Sequence, residues 1–209
     1  MSVPDASVAG AAPSRYWLVP LTRAVVALAV AVAITFNADH SAPVGFVAFG
    51  TLAIASGLIV GIGSLTMARS IERSFFIAQG IVGVTAGIAS LALVGAGAAF
   101  LLFVISAWAA VTGFLELYVG LRSRRRLAQS RDWVFAGALT AVLAVVVLLI
   151  PSGFEQAFTG PDNVDRVLTA SVILVGLVGA YAAILGVYLA IGALSLKWGT
   201  QHTGSAVAS

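Results

Sequence analysis

Arg23 and Glu116 are the two ionisable residues that fall inside long apolar stretches of this 209-residue chain. A charge at the centre of a membrane-spanning helix costs roughly 2.5–3.5 kcal/mol on insertion scales, so such residues pair with one another or carry function. Arg23 follows Trp17 by six positions near the start of one stretch, and Glu116 precedes Arg122 by six near the end of another. With a helical rise of about 1.5 Å per residue, both lie about 9 Å inside the same membrane boundary. Gln79 opens a third stretch at nearly the same depth. Arg23, Gln79 and Glu116 therefore form a candidate polar layer, with two chemistries open to it. An arginine and a carboxylate can satisfy each other and tie two helices together, unless Arg23 instead snorkels to the headgroups. Alternatively Glu116 takes up and releases a proton, with Arg23 biasing its ionisation, in a small transporter or channel for protons or a small solute.

Other residues offer weaker chemistry. The run Arg122, Ser123, Arg124, Arg125, Arg126 can attract anionic lipid headgroups at about 1 kcal/mol per basic residue, although fixing the orientation of the chain is its simpler role. His40 beside Asp39 is a candidate external pH sensor, because an imidazole titrates in the range that acidification crosses. The bland alternative is a solvated loop histidine. Glu155, Asp162 and Asp165 share a loop but lack the spacing of a calcium loop, and His202 lies in a polar tail. The chain has no cysteine, which excludes disulfides, thiolate metal sites and cysteine nucleophiles. No nucleophile triad, phosphate-binding loop, dinucleotide fingerprint or metal motif occurs. We therefore expect no enzyme, no cofactor and no metal.

The elements that must position these residues are helices in lipid. Hydrophobic residues make up 60% of the chain and charged ones 9%, with mean hydropathy +1.07, far from the roughly 25% charged share of soluble domains. Six apolar runs are long enough to cross a bilayer, at about 16–36, 44–67, 74–93, 98–121, 133–150 and 167–196. They define a membrane domain over 15–198, between a disordered tail at 1–14 and a C-terminal tail at 199–209. The first run is longer than the apolar core of a signal peptide, so it reads as a retained helix. Nine of the 11 Lys and Arg residues (Arg15, Arg69, Arg73, Arg122, Arg124, Arg125, Arg126, Arg131 and Lys197) fall at one face, with Arg166 at the other. That bias places both termini in the cytoplasm, and it assigns the basic residues to the membrane surface rather than to a nucleic-acid partner.

A repeat underlies the spans. The segments Gly50 to Gly57 (GTLAIASG), Ser106 to Gly113 (SAWAAVTG) and Gly179 to Gly186 (GAYAAILG) each place a small residue seven positions before a glycine, on one helix face. The first helices match more loosely, from Arg23, Gln79 and Ala136, so the chain reads as three helical hairpins. Small-xxx-small pairs at Gly57 with Gly61, Gly83 with Gly87, and Ala182 with Gly186 supply faces for close helix approach, within the chain or between copies of it. Tyr16, Trp17, Trp133 and Trp198 near helix ends suit the headgroup region, while the deeper Trp108 suits packing.

Residues Ser74 to Leu127, ending ISAWAAVTGFLELYVGLRSRR, together with RAVVALAVAVAITF near the N-terminus and VGAYAAILGVYLAIGAL near the C-terminus, resemble the HdeD-like family of bacterial acid-resistance membrane proteins. The resemblance covers about Trp17 to Leu196. It implies a six-span protein of the bacterial inner membrane, built from repeated hairpins and linked to acid or envelope stress, with no established molecular activity. The lipid bilayer is the expected partner, with further copies of the chain or other membrane proteins as candidates. Two features depart from that family. The loop from Pro151 to Arg166 is long, with room for a short interfacial helix through Phe154 and Phe158, and Asn37 and Ala38 stand where a proline-ended helix is expected.

Overall fold

The computed structural model describes residues 16–67, 69–127, 129–159 and 165–207, of which 165 and 199–207 are described in backbone alone. Residues 1–15, which include the expected N-terminal tail and Arg15, lie outside the described residues, as do Asp162 and the side chains of Asp165 and His202.

Six helices follow in chain order: α1 (Leu18–Thr35), α2 (Ala42–Ser64), α3 (Ile71–Ala92), α4 (Ala98–Arg122), α5 (Ser130–Leu148) and α6 (Ala170–Val207). Each is long and apolar enough to cross a membrane, and together they make an all-α membrane protein. Helix starts follow local chemistry. Pro43 sits in the first turn of α2 behind Ser41, where a missing N–H costs nothing. Ser70 caps α3 by accepting a hydrogen bond from the Arg73 N–H at 3.3 Å. Gly97, with φ +84°, closes the short connection into α4, a conformation that side chains other than glycine rarely adopt. Helix α6 continues to Val207, through residues expected to form the C-terminal tail.

The Pro151–Arg166 loop differs from expectation. It holds neither a plain solvated coil nor an interfacial helix, because Glu155–Thr159 (β1) and Asp165–Thr169 (β2) pair antiparallel, with Glu155 opposite Thr169 and Phe158 opposite Arg166. The Ala170 N–H donates to the Phe154 carbonyl at 3.0 Å, tying the hairpin to the first turn of α6. Pairing satisfies backbone groups that a loop at the membrane edge would otherwise leave open, and Phe158 and Val167 remain exposed on it.

Helices α2, α4 and α6 touch one another at the centre of the bundle, while α1, α3 and α5 lie outside. About half of each central helix is buried, against 33–39% of the outer three. The closest pairs are α2 with α3, α4 with α5, and α6 with α1, which straddle the expected hairpins. The tightest packing therefore joins the second helix of each expected hairpin to the first helix of the next, and α6 back to α1.

The repeated glycines explain those pairs. A Cβ added at Gly57 would lie 2.8 Å from the Gly80 carbonyl oxygen of α3, one at Gly113 2.7 Å from the Ala141 nitrogen of α5, and one at Gly186 2.7 Å from the Leu28 side chain of α1. Gly61 meets Gly80, and Gly83 meets Gly57, so these small faces are filled within the chain. Between lipid and protein there is little hydrophobic drive to associate, and close backbone approach supplies dispersion contacts instead. The motif position two residues after each first small residue points to the centre: Leu52, Trp108 and Tyr181 are all buried in one cluster. The Trp108 ring meets Phe49 edge-on at 5.2 Å and Tyr181 at 6.2 Å, so Trp108 packs as expected. Large side chains such as Phe103, Phe114 and Ile62 point outward, as a bundle surrounded by acyl chains requires.

Candidate functional site: a buried polar cluster at the basic end

The three residues of the candidate polar layer meet. Arg23 of α1 donates to Glu116 of α4 through both terminal nitrogens, Nη1 to Oε1 at 2.6 Å and Nη2 to Oε2 at 3.1 Å. Gln79 of α3 donates from Nε2 to Oε2 of the same carboxylate at 2.9 Å. Relative exposures are 7% for Arg23, 5% for Gln79 and 2% for Glu116, so the pair is shielded from both water and lipid. A forked guanidinium on a carboxylate combines two charge-assisted hydrogen bonds with fixed geometry. In a buried site that matters, since each ion without its partner carries a desolvation penalty of several kcal/mol. Among the described residues, Arg23 Nε and Gln79 Oε1 have no hydrogen-bond partner.

A cavity of about 40 Å³ adjoins the cluster, lined in part by Arg23, Glu116, Val60, Leu189, Tyr16 and Trp133. Its size admits one or a few water molecules, a water needing roughly 10–15 Å³ of such volume. Val60, Glu116 and Leu189 each stand three positions after the glycine that ends a repeat copy. The cavity therefore sits where the three central helices converge, and one of three equivalent positions carries a charge. Tyr16 and Trp133 close its outer side: Trp133 Nε1 donates to the Tyr16 hydroxyl at 3.0 Å, and the Trp133 ring packs edge-on against Phe76 at 4.9 Å. Both are buried, which corrects their expected place among the headgroups. They turn inward because each polar tip satisfies the other, leaving the rings free to pack. Trp17 lies beneath the Lys197 ammonium, 5.0 Å from its ring centre, and Trp198 is exposed.

Asp132 and Tyr188 were not legible as a pair in the sequence. Tyr188 of α6 donates to Asp132 Oδ1 at 3.3 Å, while its ring stacks on Phe135 at 3.7 Å. The signal available was an acid in the first turn of a helix directly after Arg131, a place where the helix dipole favours negative charge.

At the opposite end, Asp39 and His40 are neighbours in sequence without being partners. Asp39 accepts from the Ser41 N–H at 2.8 Å and the Ser41 hydroxyl at 3.0 Å, which orders the entry into α2. Among the described residues no hydrogen bond or ion pair joins it to His40, and no cluster of three potential metal ligands occurs. Arg122, Arg124, Arg125 and Arg126 are exposed at the end of α4 and in the turn after it. Compared with known proteins, the chain matches no family model, and no curated protein or solved structure matches it either.

Proposed function

We propose that this chain is a bacterial inner-membrane protein of HdeD-like type, with both termini cytoplasmic, that supports acid or envelope stress tolerance without catalysing a reaction. The observation that carries this reading is the occupancy of Glu116. Both of its oxygens are held by Arg23, and one is shared with Gln79. Protonating such a carboxylate would strand a buried guanidinium, so the cluster favours a lock joining α1, α3 and α4 over a carrier that must exchange protons. Both carboxylate oxygens are spent on neighbouring side chains, which suits a scaffold working through its lipid surroundings and through contacts with other membrane proteins or further copies of itself.

A transporter or channel reading is favoured by one observation, the 40 Å³ cavity that touches both Arg23 and Glu116. Proton flux into liposomes holding the purified full-length protein, under an imposed pH gradient, separates the two. The scaffold reading expects flux no greater than in protein-free liposomes for both wild type and Glu116→Gln. Flux in wild type that is lost in Glu116→Gln overturns it and makes the polar layer a conduction path. Survival of an acid challenge by cells with and without the protein tests the stress role, and equal survival refutes it.

A further inference from the structure

We propose that the cleft between the end of α4 and the start of α5 is a binding site for an anionic phospholipid of the surrounding membrane. The cleft measures about 1020 Å³ and is lined by Leu121, Arg122, Arg124, Arg125, Arg126, Arg131, Val134, Phe135 and Ala138. Five arginines from two segments thus line one opening, with no acidic residue among the described lining residues. The nearby acids hydrogen-bond elsewhere: Asp132 accepts from Tyr188 on α6, and Glu72 accepts from the Ser123 hydroxyl at 3.2 Å, although Glu72 also feels the charge of Arg126. Among the described residues none of the five arginines is ion-paired, and Arg122 only reaches the Tyr118 hydroxyl at 3.4 Å. Gathered like charges repel, and a phosphodiester placed among them offsets that cost through forked hydrogen bonds.

The rest of the lining specifies a lipid rather than a soluble anion. Arg131, Val134, Phe135 and Ala138 fall on one face of α5, at spacings of three and four residues, so charge gives way to apolar surface over about 10 Å of helix. Phe135 is fixed by its stack on Tyr188, 3.7 Å between ring centres and 13° from parallel. The same stripe continues through the exposed Val142 and Val145, along the lipid-facing side of α5. A headgroup held by the arginines therefore has its acyl chains laid on a preformed wall. A soluble phosphate ester would leave that wall unused, and setting orientation requires the charges but no wall.

The test uses the purified full-length protein in nanodiscs mixing phosphatidylglycerol with phosphatidylcholine, followed by native mass spectrometry of retained lipid. Wild type is expected to keep phosphatidylglycerol selectively. Arg125→Gln with Arg131→Gln is expected to lower that preference about tenfold or more. Arg69→Gln with Arg73→Gln removes the same charge at the same membrane face outside the cleft, and is expected to leave the preference within about twofold. Equal loss in both double variants, or no preference in wild type, overturns the proposal, since either makes the attraction diffuse or absent. Displacement of the retained lipid by millimolar glycerol 3-phosphate also overturns it, by assigning the arginines to a soluble phosphate ester.

Discussion

Arg23 on α1 and Glu116 on α4 are 93 positions apart in sequence and meet as a forked ion pair, 2.6 and 3.1 Å between their nitrogens and oxygens, inside the bundle. Removing one member leaves a buried charge uncompensated, a loss of about 3–5 kcal/mol for buried pairs. Removing both leaves no uncompensated charge, only a packing defect and the Gln79 amide without its acceptor. Arg23→Ala and Glu116→Ala are therefore each expected to cut folded yield and thermal stability in detergent severely. The double variant is expected to be more stable than the sum of the two losses by at least about 1.5 kcal/mol. Additive losses would show that the two side chains do not depend on each other.

Gln79 is expected to matter less than either ion. Its amide gives Glu116 one hydrogen bond at 2.9 Å, and a bond to a charged group contributes about 1.5–3 kcal/mol net. Gln79→Leu keeps the volume and removes the donor, so stability should fall by about 2 kcal/mol with the Arg23 pair intact. The check is a cycle with Glu116→Ala: the Gln79→Leu loss should vanish once the carboxylate is gone. A loss of the same size in both backgrounds would place the role of Gln79 in packing against other neighbours.

How far these features were legible in the sequence follows from the range of each signal. The spans were readable because apolar runs of about 20 residues have few alternatives in lipid, and helix ends moved by only a few residues except at the end of α6, which runs on to Val207. The polar layer was readable because depth along a helix is simple arithmetic, and Arg23, Gln79 and Glu116 share a depth. Rotation about each helix axis was not readable, since nearly every face is apolar, so whether those side chains faced one another needed the packed bundle. The β1–β2 hairpin was missed because its strands are five residues each and exposed, without a clear alternation of apolar and polar positions. The signals available were the β-formers Phe158, Thr159, Val167 and Thr169 on either side of Gly160, Pro161 and Asp162, a turn composition between two short runs. Tyr16 and Trp133 were misplaced for a related reason: composition near a helix end favours the headgroup region, but a hydrogen bond between residues 117 positions apart has no local signature.

Glycine at the helix crossings is expected to be far less replaceable than glycine in the turns. A Cβ on Gly57 would stand 2.8 Å from a backbone oxygen and 2.9 Å from a backbone nitrogen of α3, while one on Gly95 would meet nothing within 4 Å. Backbone atoms cannot rotate away, so the helices must separate, at about 1–3 kcal/mol for such overpacking. Gly57→Ala should therefore lower the melting temperature in detergent clearly, and Gly113→Ala likewise. Gly95→Ala should be neutral within about 0.5 kcal/mol. Similar losses at all three positions would mean that backbone freedom, rather than close approach, decides where glycine is needed.

The arginines after α4 make a last prediction that separates insertion from lipid binding. Replacing Arg122, Arg124, Arg125 and Arg126 by Gln leaves only Arg15, Arg69, Arg73, Arg131 and Lys197 to hold this end on its proposed cytoplasmic side. Charges within about 15–20 residues of span ends set orientation, and the four removed residues adjoin both α4 and α5. Reporter fusions after residue 127 and after residue 209 should then show a mixed orientation for the α4–α5 connection, with the C-terminus less affected because Lys197 flanks its own span. An unchanged fusion map would mean that the bundle itself, with the Arg23–Glu116 pair buried near this same end, fixes which side the loop occupies. The arginine run would then be kept for what its exposed guanidinium groups bind at the membrane surface.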